Sequence, residues 1–269
     1  MGKKSGKDNT FYKSNSKIIK MKSHFTSFIK TFFRFRYPMS LIEPAYFWLS
    51  APKPIKWFLA FRPLSLLVFS VPFFRNIFFK KAINERIVEN AFVLSKINKT
   101  PCDILDFGTT SSWISLQLAS LGHRVIGVDL RSYEFSHPNL DFKLGDIFET
   151  NLPDGHFDFV LIVSTLEHVR TNDNNADKEV LKILSKYLKH NGKMIITVPY
   201  GMPITLSSHR VYSKDRISQI TPEGFLIKEI NYFKKISDTI WLPSSEDDVK
   251  NADSSKVSNA VCCFVLEKN

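Results

Sequence analysis

The stretch that most constrains this chain runs from residue 103 to 130, DILDFGTTSSWISLQLASLGHRVIGVDL. A short apolar strand, Ile104-Leu105, ends in Asp106. A compact turn of small residues follows, Phe107-Gly108-Thr109-Thr110-Ser111-Ser112. Trp113, Leu116, Ala119 and Leu121 then recur at helical spacing, and Gly122 stands where a helix C-cap belongs. A second strand, Arg124 to Val128, ends in Asp129. Strand, tight turn, helix, strand and acid are the parts of the first βαβ unit of a nucleotide-binding α/β sheet. The turn lets backbone N–H groups approach a ligand at a helix start. An acid about 20 residues on reaches a ribose diol, and Asp129 stands 21 residues after Gly108.

Gly108 is the lone glycine of the turn, with Thr110 and Ser112 where a glycine-rich turn would repeat it, so the dinucleotide fingerprint is not formed. Asp106 also repels phosphate, so an oxidoreductase reading ranks last. An acid there suits a ligand with positive charge and no phosphate, a description that fits S-adenosylmethionine. The stretch resembles motif I of the class I methyltransferases, an acidic residue followed by a glycine-rich turn. The plain alternative is a βαβ unit with an ordinary polar turn.

Further along, Leu140 to Leu144 reads as a third strand, followed by Gly145-Asp146, and Phe157 to Val163 as a fourth, buried on both faces. Ser164-Thr165-Leu166-Glu167-His168-Val169 lies beyond its carboxyl end, where open α/β sheets place ligands and catalytic groups. A helix over Lys178–Lys189, closed by Asn191-Gly192, leads to a fifth strand, Lys193 to Pro199. A short helix begins near Ser213. Phe225 to Phe233 and Asn259 to Glu267 pair as a closing antiparallel hairpin, and residues 237–258 between them read as polar and mobile.

The segments STLEHV, NGKMIITVPYG and SHRVYSKDRI together resemble methyltransferase-like proteins associated with surface-glycan biosynthesis, over roughly residues 100–235. The resemblance implies a Rossmann-like, seven-stranded, mostly parallel sheet with a C-terminal antiparallel hairpin. It implies S-adenosylmethionine held by Asp106, Gly108, Thr110 and Ser112 at the turn, and by Asp129 and Leu130 at the second strand. Asp146 reads the adenine amino group with the Ile147 amide beside it, and Ser164 lies against the cofactor. His168 is placed for general-base work, its ordinary pKa being near neutrality; alternatively Glu167 and His168 only shape the loop. His209 is a second catalytic candidate. Arg210 and Tyr212 fall on the substrate side, Arg suiting carboxylate, phosphate or hydroxyl contacts, unless Arg210 simply caps a helix or pairs with Asp215. No metal-ligating constellation is present.

Charge divides the chain. Residues 1–100 hold 19 Lys and Arg against four acids, and the remainder holds 18 bases and 22 acids. An acidic surface is therefore the partner of the N-terminal part. Residues 1–16 read as a disordered basic tail. Residues 17–80 form an amphipathic aromatic extension. Ile18, Met21, Phe25, Phe28, Phe32 and Phe33 share one helical face opposite Lys17, Lys20 and Arg34, which suits an anionic membrane surface or, equally, packing on the chain's own domain. Residues 57–74 approach spanning length, but Arg62, Pro63 and Pro72 interrupt them, leaving a shallow membrane contact or a lid. The methyltransferase domain is assigned to 81–269, opening with a helix over Ala82–Ile97.

Three cysteines without framework spacing and no cleavable leader point to the cytoplasm, at the membrane periphery. The expected reaction is O-methyl transfer to a glycan, lipid-linked sugar or small acceptor. Interleaving of the N-terminal charge with Phe argues against nucleic acid. The competing reading is a degenerate, non-catalytic binding module.

Overall fold

The computed structural model describes residues 83–269 except residues 100 and 111. The basic tail at 1–16 and the amphipathic extension at 17–80 lie outside the described residues, which fall in the unit spanning 81–269.

The apolar runs become a single sheet. Its strands are β1 (Asp103–Phe107), β2 (Arg124–Asp129), β3 (Leu140–Leu144), β4 (Phe157–Val163), β5 (Leu188–Pro199), β8 (Phe225–Ser237), β9 (Ile240–Ser244) and β10 (Ala260–Lys268). A separate two-stranded ribbon holds β6 (Ile204–Thr205) and β7 (Arg210–Val211). The main sheet is ordered β3-β2-β1-β4-β5-β10-β8-β9. Pairing is parallel from β3 through β5 and antiparallel from β5 through β9.

Helices cover both faces. On one, α1 (Arg86–Lys96) and α2 (Ile114–Ser120) pack Phe92, Val93, Ile114 and Leu118 onto Ile104, Val125 and Leu161. On the other, α3 (Ala176–Tyr187) and α4 (Lys214–Ile220) pack Val180, Leu184, Ile217 and Ile220 onto Leu105, Val160 and Ile196. Phe159 to Val163 in β4 are all buried. Each such side chain removed from water is worth roughly 1.5–3 kcal/mol, so the strand that carries the site at its end is firmly anchored.

Several elements end where their capping residues dictate. Gly122, at φ 93°, closes α2 by donating its N–H to the Ala119 carbonyl (3.1 Å). The Ser213 side chain accepts from the Arg216 N–H at the start of α4. Ser245 and Asp248 form a capping box on α5 (Glu246–Val249).

Among the described residues the sheet has eight strands rather than the expected seven. The eighth, β9, falls in the stretch read as polar and mobile. Trp241 is buried there and donates from Nε1 to the Ile83 carbonyl (3.1 Å), while the Ile83 N–H donates to the Asp238 carbonyl (2.7 Å). β8 and β10 pair antiparallel as expected, but β9 intervenes in sequence, so they are not a simple hairpin. β5 starts at Leu188, where the helical reading ran on to Lys189: Leu188 already pairs with Phe157, and Asn191 turns the chain at φ 59°.

Candidate active site

Three strand ends meet at the carboxyl edge of the parallel half: β1 at Asp106, β2 at Asp129 and β4 at Val163. After β1, Gly108 adopts φ +86° and donates its N–H to the Val128 carbonyl (2.9 Å). A side chain at Gly108 would place its Cβ 2.1 Å from Thr165 Oγ1. The glycine is therefore needed twice, for its conformation and because the β4 loop rests against it. Thr109 Oγ1 donates to the Asp106 carbonyl (2.8 Å), and Ser112 Oγ accepts from the Ile114 N–H (3.2 Å) at the start of α2.

Two acids bracket the turn in different environments. Asp106 is 1% exposed and accepts from Ser115 Oγ at 2.6 Å. Burial pushes its pKa up to about 6, opposed by that hydrogen bond. Asp129 accepts from the Thr110 N–H through Oδ2 (2.8 Å) and from the Arg131 N–H through Oδ1 (2.9 Å). An ionised carboxylate oxygen takes about two hydrogen bonds, so each keeps a lone pair. Thr110 Oγ1 donates to the Arg131 carbonyl (2.9 Å) and the Tyr133 hydroxyl to the Ser112 carbonyl (3.0 Å), tying the turn to the segment beyond β2.

At the end of β3, Asp146 accepts from the Phe148 N–H (3.0 Å) and pairs with Arg170 (3.0 Å), whose guanidinium lies over the Phe148 ring. The Ile147 side chain belongs to the core, and Leu130 is exposed.

Beyond β4 the backbone is forced into a tight loop. Ser164 has φ 43°, and its N–H reaches the Thr197 hydroxyl (3.0 Å). Its own hydroxyl donates to Glu89 Oε1 of α1 (2.6 Å), and Arg86 of the same helix donates to the Val163 carbonyl (2.9 Å). Glu89 and Glu167 are both buried; among the described residues the Oε2 of neither accepts a hydrogen bond, though Arg86 lies 3.6 Å from that of Glu89. Burial, reinforced by the nearby Glu89 and Glu85 charges, pushes the Glu167 pKa up to about 8.

His168, in a short 3-10 turn over Leu166–His168, is exposed. Its Nδ1 lies 2.8 Å from the Ser208 carbonyl and its Nε2 3.8 Å from Glu167 Oε1. A carbonyl only accepts, so Nδ1 carries the proton and, in the neutral ring, Nε2 carries the lone pair. His209 stands close by, with ring centroids 6.3 Å apart.

The structure thus brings Asp106, Gly108, Thr110, Ser112, Asp129 and Ser164 to one edge, and His168 to His209. The two substrate-side residues are corrected in part. The Arg210 guanidinium is buried and donates to the carbonyls of Val169 (2.6 Å), Arg170 (2.9 Å) and Asp173. The Tyr212 hydroxyl donates inward to Asp177 (3.2 Å), beside Arg216. Their charged and hydroxyl ends hold loops together, and the pairing of Arg210 with Asp215 is not observed. Sequence reasoning missed Glu89, which enters from a helix 75 positions away, and Thr165, whose role depends on the glycine it touches. It also missed the aromatic group Trp113, Tyr133, Phe135 and Phe142 beside the turn. Only the Trp113 periodicity hinted at that.

Residues 105–196 match a family model described as a methyltransferase domain. No curated protein matches the chain. Among solved structures it is similar to a S-adenosylmethionine-dependent methyltransferase of Methanosarcina mazei, with TM-score 0.50 and 15% identity, covering 65% of this chain and 96% of that one. It is also similar to 1,6-didemethyltoxoflavin-N1-methyltransferase of Burkholderia thailandensis, solved with 1,6-didemethyltoxoflavin and S-adenosylhomocysteine (TM-score 0.50, 16% identity, 76% of this chain and 86% of that one). The fold is that of the S-adenosylmethionine-dependent methyltransferases, and the family match lies within residues 105–196.

Proposed function

We propose that the protein transfers a methyl group from S-adenosylmethionine to a hydroxyl oxygen of a glycan, a lipid-linked sugar or a related small acceptor. The observation that carries the reading is the convergence of acids on the carboxyl edge. Asp106, Asp129, Asp146 and Glu89 converge there; Arg86 lies 3.6 Å from Glu89 and Arg170 3.0 Å from Asp146, while each Asp129 oxygen keeps a lone pair. Such a site suits a cationic ligand without phosphate, and in that sense the residues fit the cofactor. Asp129 would hold the ribose hydroxyls with its remaining lone pairs, and Asp146 with the Ile147 amide would hold the adenine edge. Gly108, Thr110, Ser112 and Ser164 would line the turn, with Leu130 at its rim.

The bound cofactor supplies an electrophilic methyl carbon on a sulfonium. The chain's own task is positioning and proton removal. His168 Nε2, its tautomer set by the Ser208 carbonyl, would take the acceptor's hydroxyl proton as the methyl leaves sulfur, which keeps the bonding pair, for that oxygen. His209 flanks the same space on the loop that fixes His168. The basic residues of 17–80 would bring the domain to an anionic membrane from the cytoplasmic side, where a lipid-linked acceptor is presented.

One observation favours a second reading, a non-catalytic binding module. Thr165 occupies the space over Gly108, and Asp129 is already engaged by the Thr110 amide. Calorimetric titration of S-adenosylmethionine into the full-length protein, with Asp129→Ala beside it, separates the two. Micromolar binding weakened at least about tenfold in the variant, the loss of about 1.4 kcal/mol, supports methyl transfer. No binding to a folded protein gives the module reading.

A further inference from the structure

The loops that follow β3 and β4 are joined by Arg170. In the sheet those two strands stand apart, with β2 and β1 between them, and that inner pair ends in Asp129 and the Gly108 turn. Arg170, on the β4 side, donates from a terminal nitrogen to Asp146 Oδ2 (3.0 Å), just beyond β3. Oδ1 accepts from the Phe148 N–H (3.0 Å), so Asp146 is fixed at both oxygens.

The guanidinium is held on its flat side as well. Its central carbon lies 3.8 Å from the centroid of the Phe148 ring, a cation–π contact. Phe148 in turn packs against the core cluster that includes Val180 and Leu184 of α3.

The root of the side chain is set just as firmly. Arg170 has φ 37°, a left-handed backbone that a residue other than glycine seldom adopts. Its carbonyl accepts from the Asp173 N–H (2.8 Å) and from Arg210 (2.9 Å), which keeps the turn in that shape. Strain of this kind persists only where the surroundings impose it, and it clusters at binding sites. Here it aims a long side chain at one carboxylate.

The lone pairs of that carboxylate decide what it can bind. An ionised carboxylate oxygen accepts about two hydrogen bonds, and each oxygen of Asp146 has taken one. The side chain is still 29% exposed, so a ligand N–H can reach it. An amino group supplies the donor that is wanted, whereas a carbonyl oxygen in the same place meets like partial charge.

We propose that Arg170 is a positioning residue for base recognition: by holding Asp146 it selects a 6-aminopurine, adenine, over a 6-oxopurine. The inference rests on the cofactor reading above, in which Asp146 holds the adenine edge, and adds the residue that sets its selectivity.

The test is calorimetric titration of the full-length protein with S-adenosylhomocysteine and with its 6-oxo counterpart, S-inosylhomocysteine. Wild type should prefer the adenine compound by at least about tenfold, because a site built around an amino donor rejects the analogue that lacks it. Arg170→Met keeps a stem over Phe148 and removes the donor. It should weaken S-adenosylhomocysteine by about tenfold, as the loss of one charge-assisted hydrogen bond requires, and leave the inosine compound nearly unchanged. Arg170→Gly, which suits the left-handed backbone, should show the same collapse of preference with the fold intact. Equal losses for both compounds would make Arg170 a brace of the loop and overturn the proposal, as would a preference that survives in both variants. A wild type that binds the two compounds equally overturns it too and leaves cofactor binding standing. Failure to bind S-adenosylhomocysteine at all sinks the cofactor reading and this inference with it.

Discussion

Replacing Glu167 with Gln should make the protein more stable at alkaline pH and remove most of its loss of stability between pH 5 and 8. The carboxyl is buried beside Glu89 and Glu85, and its pKa is raised from 4.5 to about 8. Above pH 4.5 the unfolded chain gives up this proton while the folded one retains it. Stability must then fall as pH rises, until the folded carboxyl ionises in turn. At 1.36 kcal/mol per pH unit, the span from pH 5 to pH 8 amounts to about 4 kcal/mol. Gln keeps the shape of the neutral acid and has no proton to lose. Asp106, raised to about 6, pulls in the same direction below pH 6. His123, lowered by burial, pulls in the opposite one. Both are common to the two proteins and cancel in the difference. Urea denaturation of wild type and Glu167→Gln at pH 5, 6.5 and 8 should show the gap between them widening in favour of Gln by about 4 kcal/mol. Parallel curves, with a gap changing by less than about 1 kcal/mol, would mean that Glu167 is ionised in the folded protein and the burial argument fails.

Gly108→Ala forces a Cβ to within 2.1 Å of Thr165 Oγ1 at a φ of +86°, and should cost about 3 kcal/mol or more by thermal denaturation. Adding Thr165→Gly should restore part of that loss, and strict additivity would deny the contact. Arg210→Met keeps the stem and removes three charge-assisted bonds to carbonyls. Those carbonyls lie in half-exposed loops where water replaces part of the loss, so about 2–4 kcal/mol is expected from urea midpoints.

What the sequence revealed follows from how local each signal is. β1, β2 and β4 carry apolar runs bounded by turn residues, β3 alternates apolar with charged residues, and the spacing from Gly108 to Asp129 depends only on one βαβ unit. Those strands and the end of β4 were therefore legible. β9 was not, because Ile240-Trp241-Leu242-Pro243 lies in a polar stretch and Pro usually argues against a strand. An edge strand tolerates it, and what orders this one is the contact of Trp241 with Ile83, 158 residues earlier. The acids of the site divided in the same way. Asp106 and Asp129 announce themselves at strand ends, whereas Glu89 reads as one more polar residue of an amphipathic helix until Ser164 is brought to it. Arg210 was noticed for its charge, but its burial under carbonyls of the 169–173 loop depends on tertiary packing that no spacing encodes.

The two hydrogen bonds that hold Ile83 have a mechanical consequence. They fix the chain to the β8–β9 turn just before it enters α1, the helix whose Arg86 and Glu89 brace the end of β4. Tension arriving from the preceding residues is delivered first to an edge strand, separated from β1 by β8, β10, β5 and β4. The arrangement works as a cable clamp. A pull from the N-terminal side therefore meets the edge strand before it meets α1 and, through Arg86 and Glu89, the end of β4.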